Sequence, residues 1–147
     1  LPEHNQTQQT ETIVIDLNLP AQYRYLSLVG SCIRELVQSL EETTLSTDLV
    51  YGLQLAVHEI CNNIIKHAYG HEEGRLMLSL TIQPSRRTFV ADLYDTGRAF
   101  DPQGVPAPNL DVPHESGYGL FLARQLMDEV HYDTHTGRNH WQLCKRY

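Results

Sequence analysis

Two periods of apolar residues alternate along this chain, and together they restrict it to one class of fold. An apolar residue at every second position marks a strand, and one at every third or fourth position marks a helix. Residues 12–19 (TIVIDLNL) alternate and stop at Pro20, which predicts a strand. Over residues 22–40, Tyr25, Leu28, Val29, Cys32, Ile33, Leu36 and Leu40 recur at helical spacing. Ser46 and Asp48 signal the start of a second helix, with Leu49, Leu53, Ala56, Ile60 and Ile64 down one face and an end near Gly70. Residues 75–83 and 87–94 form a predicted hairpin around Pro84, Ser85 and Arg86. Residues 117–128 read as a third helix, and 130–134 and 140–146 as strands about a turn at Gly137. The order βααββαββ predicts an α+β domain. We expect a two-layer sandwich, a mostly antiparallel mixed sheet with about three helices packed on one face.

At 147 residues, 41 % of them hydrophobic, the chain suits one compact domain over residues 12–147, preceded by a polar, flexible tail at 1–11. No apolar run is long enough to cross a bilayer, and the tail lacks the basic and apolar regions of a signal peptide. A cytoplasmic protein is expected. The net charge of −7 argues against direct nucleic-acid binding or an acidic membrane as partner. Cys32, Cys61 and Cys144 are isolated and read as buried free thiols. Between Asp95 and Ser116 stand four prolines and two glycines, too irregular for a helix or strand. So long an irregular stretch in a small domain suggests a functional lid.

Three short motifs carry chemistry. Glu59, Asn63 and His67 are spaced by four and rise along one helical stripe. His58-Glu59 begins like the zinc motif HExxH, but Asn62 stands where the second histidine belongs, so that reading fails. Asp95-Thr96-Gly97 follows an apolar strand, which sets its carboxylate at a strand end facing a loop. Ser116-Gly117-Tyr118-Gly119-Leu120 opens a helix, where backbone N–H groups and the helix dipole favour phosphate. It is neither a Rossmann fingerprint, because Leu122 replaces the third glycine, nor a Walker A loop. Each motif alone fits an ordinary surface or turn.

In this order the three resemble the N, G1 and G2 boxes of the GHKL ATP-binding superfamily, also called the Bergerat fold. Within it, the likeness is to the bacterial anti-sigma-factor serine/threonine kinases. It rests on ExxxNxxxHAY from Glu59 to Tyr69, DxGxxFD from Asp95 to Asp101 and GxGLFLxxxLMDEV from Gly117 to Val130. The resemblance implies ATP and Mg²⁺ as cofactors. It gives Asp95 and Gly97 to the adenine, Asn63 to the metal, and His67 to the nucleotide site. Ser116, Gly117, Tyr118, Gly119 and Leu120 fall to the phosphates, and residues 100–116 to an ATP lid. Glu59 is the implied catalytic base. The implied phosphoacceptor is a STAS-type anti-anti-sigma protein, a sigma factor is a further implied partner, and a homodimer fits the family.

Two positions depart from the family pattern. His114 and Glu115 stand where some relatives carry a basic lid residue, and Gly137-Arg138-Asn139-His140 replaces a Gly-Thr pair before the last strand. The last contact on the adenine side is therefore unassigned. The competing reading is a non-catalytic ATP-binding switch that docks onto a phosphatase or other regulator. A histidine-kinase catalytic domain is disfavoured by Glu59, whose position usually carries an amide there.

Overall fold

The computed structural model describes residues 11–40, 45–101 and 117–147. Strand β1 (Ile13–Pro20) leads through a 3₁₀ turn at Tyr23–Tyr25 into α1 (Leu26–Gln38). Helix α2 (Thr47–Asn63) runs on into a π-helical turn at Ile64–Ala68. Then come β2 (Arg75–Gln83), β3 (Thr88–Asp95), α3 (Tyr118–Leu126), β4 (Glu129–His135) and β5 (Arg138–Arg146). The predicted α+β order is the observed one. Most of the predicted tail and all but the first two residues of the predicted lid lie outside the described residues.

The sheet runs β1-β2-β3-β5-β4, and every ladder is antiparallel. This corrects the expected mixed sheet. Strands β3 and β4 point the same way, but β5 lies between them and pairs with both, so their crossover through α3 makes no parallel ladder. Leu76, Leu78, Leu80 and Ile82 of β2, with Phe89, Ala91 and Leu93 of β3, face the helices and are buried. The opposite face stays polar and partly wet, as a one-sided antiparallel sheet allows. There Asp92 accepts hydrogen bonds from His140 at 2.7 Å and Gln142 at 2.9 Å.

Helix α2 starts where Ser46 predicts, its hydroxyl accepting the Leu49 N–H at 3.1 Å. Leu53, Ala56, Val57, Ile60 and Cys61 pack into the core, and burial pushes the Cys61 thiol up to about 12. Cys32 and Cys144 are only half-buried, contrary to expectation, because Cys32 packs at the margin of the core and Cys144 lies on the open face of β5. Helix α1 also differs from its prediction. Its first turn is 3₁₀, and Leu26 and Val37 are buried where Leu28 is half exposed. No helix among the described residues is long and apolar enough to cross a membrane.

Ile33 and Leu28 sit on the same helix with opposite surroundings. Ile33→Ala should cost about 2–5 kcal/mol of stability through the cavity it leaves. Leu28→Ala should stay within about 0.5 kcal/mol. Denaturant midpoints check both, and equal losses would contradict this assignment of the α1 face.

Candidate functional site

Strand β3 ends on Asp95, and the sheet register sets Asn139 of β5 directly across from it. Both point into the protein and are only 1 % and 3 % exposed, the buried polar residues of the described chain. A buried carboxylate is costly unless hydrogen-bonded. Asp95 Oδ1 accepts from Asn139 Nδ2 at 2.7 Å and from the Gly97 N–H at 2.9 Å. Burial still pushes the Asp95 carboxyl above its usual range, with the Asn139 and Gly97 hydrogen bonds pulling it back. Asp95 Oδ2 takes no hydrogen bond from the described residues, which leaves an oriented acceptor for a ligand.

The loop after Asp95 is held by the end of α2. In the π-helical turn the Tyr69 N–H reaches back five residues to the Ile64 carbonyl at 3.1 Å. Such turns are rare and concentrate at functional sites. This one presents the Ala68 carbonyl, which accepts the Arg98 N–H at 2.7 Å. A Cβ on Gly97 would lie 2.5 Å from that same oxygen, so the close approach demands glycine. The Tyr69 hydroxyl accepts the Thr96 N–H at 3.0 Å and donates to the Arg75 carbonyl at 2.6 Å. Ala68 and Tyr69 thus clamp the loop.

The Glu59–Asn63 stripe meets the glycine motif at the other end of the site. Both side chains are half-buried on α2, one turn apart. The Glu59 carboxylate lies against the first turn of α3, where a Cβ on Gly119 would collide with Glu59 Oε2. Gly117 caps α3 in the left-handed conformation at φ 86°, and no side chain among the described residues caps the helix. Leu120 is buried in the core, and Tyr118 is exposed with its ring tilted against Phe121. Ser116 lies outside the described residues, as do His114 and Glu115.

His67 is exposed, carried past the Glu59–Asn63 stripe by the wider π turn. Partial burial and then the charges of Lys66, Arg98 and His71 hold its imidazole below the ordinary value. These cations form a positive margin at the end of α2 in an otherwise acidic chain.

Sequence reasoning missed Asn139 and the contacts of Phe100. Phe100 packs on Tyr132 and Trp141, and its N–H donates to the Tyr132 hydroxyl at 2.7 Å. It therefore belongs to the frame rather than to a loose lid. For Asn139 the signal was present: Asn139, Trp141 and Leu143 alternate inward along β5.

A one-sided antiparallel sheet, with a buried carboxylate at the end of one strand and a glycine-flanked helix facing α2, is the architecture of a histidine kinase-like ATPase domain. The sequence model of the histidine kinase-like ATPase domain matches residues 19–145, and the chain belongs to that family, in its branch of RsbW-like anti-sigma-factor serine kinases. Membership in an ATPase family implies ATP as the nucleotide. The chain is similar to the serine/threonine-protein kinase BtrW of Bordetella bronchiseptica, 34 % identical over 104 residues, covering 67 % of this chain and 71 % of BtrW. It is 27 % identical over 132 residues to the serine-protein kinase RsbW of Bacillus subtilis, covering 84 % and 79 %. For RsbW of Staphylococcus epidermidis the identity is 32 % over 126 residues, covering 79 % and 76 %.

Solved structures show the same fold. The crystal structure of the RsbU and RsbW domains of Rv1364c from Mycobacterium tuberculosis matches with a TM-score of 0.66 at 16 % identity. That match covers 91 % of this chain and 32 % of the other, so this chain spans about a third of that protein. The histidine kinase domain of the Erythrobacter litoralis EL346 blue-light activated kinase matches at 0.55 and 16 % identity, covering 86 % and 61 %.

Asp95→Asn separates binding from stability. Because folding raises the Asp95 pKa, its ionised form weighs against the fold at neutral pH, and that cost fades as pH falls through the folded value. The variant should keep or raise the melting temperature at pH 7. It should also bind ADP and ATP about ten- to a hundredfold more weakly, having lost a charged acceptor worth about 1.5–3 kcal/mol. A lower melting temperature with unchanged affinity would contradict both parts.

Proposed function

We propose that this chain is an ATP-dependent serine/threonine protein kinase. It acts as an anti-sigma regulatory factor and phosphorylates a small STAS-type anti-anti-sigma protein. The observation that carries this reading is the Glu59 carboxylate resting against the first turn of α3, one helical turn from Asn63. The serine-kinase names of the similar relatives support the same class.

Each residue then has a chemical task. Asp95 Oδ2 accepts the amino hydrogen of adenine. The N–H groups of the first turn of α3, which no described side chain caps, receive phosphate oxygens together with the Gly117–Gly119 backbone. Lys66 and Arg98 add positive charge near the end of α2. The Asn63 side chain makes no hydrogen bond among the described residues, so its oxygen is free to hold Mg²⁺, a cation that suits a sparse oxygen site. When bound, the metal neutralises phosphate charge.

Glu59 is placed to take the proton of the incoming serine hydroxyl. As that oxygen bonds to the γ-phosphorus, the bond to the β–γ bridging oxygen breaks and ADP leaves. A sigma factor held by the same protein completes the regulatory circuit.

Glu59→Gln keeps size and removes the proton acceptor. Near-normal ATP binding is expected, with single-turnover phosphorylation of the STAS partner about 10²-fold slower or more, the usual worth of a general base. Transfer as fast as in the parent would remove Glu59 from the role. Asn63→Ala should reduce the gain in ATP affinity that Mg²⁺ provides while leaving metal-free affinity nearly unchanged. Titrations with and without the metal measure this, and an undiminished Mg²⁺ effect would leave Asn63 a helix-surface amide.

A further inference from the structure

Asn139 occupies the position left unassigned on the adenine side, and its hydrogen bonds are directional. Its Oδ1 accepts the Thr134 hydroxyl at 2.8 Å and the Tyr132 hydroxyl at 3.3 Å. With the oxygen so engaged, Nδ2 turns to Asp95 Oδ1 at 2.7 Å, the Gly97 carbonyl at 3.0 Å and the Arg98 carbonyl at 3.3 Å. The amide cannot flip without setting oxygen against three acceptors and nitrogen against two donors. Its orientation is therefore locked.

That lock decides how Asp95 meets a base. Oδ1 already holds two donors, from Asn139 and Gly97, while Oδ2 has none among the described residues. A carboxylate with both oxygens free can take the paired N1–H and N2–H of guanine in a fork. One that offers a single oxygen suits the lone amino group on the adenine edge, and it repels the carbonyl oxygen that guanine carries in the same place. We propose that Asn139 is a positioning residue that sets base selectivity, by filling Asp95 Oδ1 and leaving Oδ2 as the single acceptor for an amino-bearing purine. This deepens the nucleotide-binding reading above and rests on it.

The test is calorimetric titration of ADP and GDP into the parent protein, Asn139→Leu and Asn139→Thr. Leucine fills the space without a donor. Threonine restores a donor hydroxyl in a residue suited to a strand. The parent should prefer ADP. In Asn139→Leu, ADP affinity should fall about tenfold and the ADP-to-GDP preference by at least as much, as loss of a hydrogen bond to a charged acceptor implies. Asn139→Thr should recover most of the preference.

A merely structural role would lower both affinities by one factor and leave their ratio alone, and that result overturns the proposal. If Asn139→Leu fails to fold, Thr134→Val serves instead. It frees one side of the amide oxygen and should reduce the preference about threefold, whereas an unchanged ratio overturns the proposal. A parent that binds neither nucleotide overturns the nucleotide reading as well. A parent that binds ADP while the ratio ignores residue 139 overturns only this inference.

Discussion

The Asp95 carboxylate sits inside the protein at the end of a central strand, and much of the surrounding structure serves to keep it there. Burial opposes its charge, so the carboxylate depends on two fixed donors. One donor comes from the sheet: the β3–β5 register brings Asn139 opposite, and a slip of one residue would turn that amide to the other face. The other comes from the chain itself, where the turn after β3 swings the Gly97 N–H back onto Oδ1. Both donors use the same oxygen, and the second oxygen remains for a ligand.

That turn is stable because helix α2 ends in a wider coil. The π-helical step brings the Ala68 carbonyl to Arg98 and leaves no room for a side chain at residue 97. From the same segment Tyr69 holds Thr96 and the start of β2. Nine residues earlier, on α2 itself, Glu59 is pressed against Gly119 at the start of α3. A single helix and its π turn therefore hold the two ends of the proposed site, at Gly97 and at Gly119, at a fixed spacing. Phe100 and Tyr132 add a third tie, joining the loop after β3 to Asn139 and so to Asp95.

Much of this was legible in the amino-acid sequence. Apolar periods marked every strand and helix to within a few residues, because the sheet buries one face and each helix one stripe. The three boxes named the family, which the comparisons with known proteins bear out. What escaped is long-range or conformational. Asn139 read as part of the turn beyond Gly137, since β5 was expected to begin one residue later, and only strand pairing shows it facing Asp95. The π turn has no local signature: Ile64 to Ala68 continues the helical pattern. Leu28 has the right spacing for the core but lies beyond the reach of the sheet.

The central claim is that one site runs from Asp95 to the first turn of α3. Nitrogen-resolved NMR during a titration with ATP and Mg²⁺ tests it most directly. The backbone amides of Gly97, Arg98, Gly117 and Gly119, and the side-chain amide of Asn139, should shift and saturate together with one dissociation constant. Shifts confined to the outer groove between α1 and α2, around Tyr23, Arg34, Tyr51 and His58, with Gly97, Asn139 and Gly119 unmoved, would contradict it.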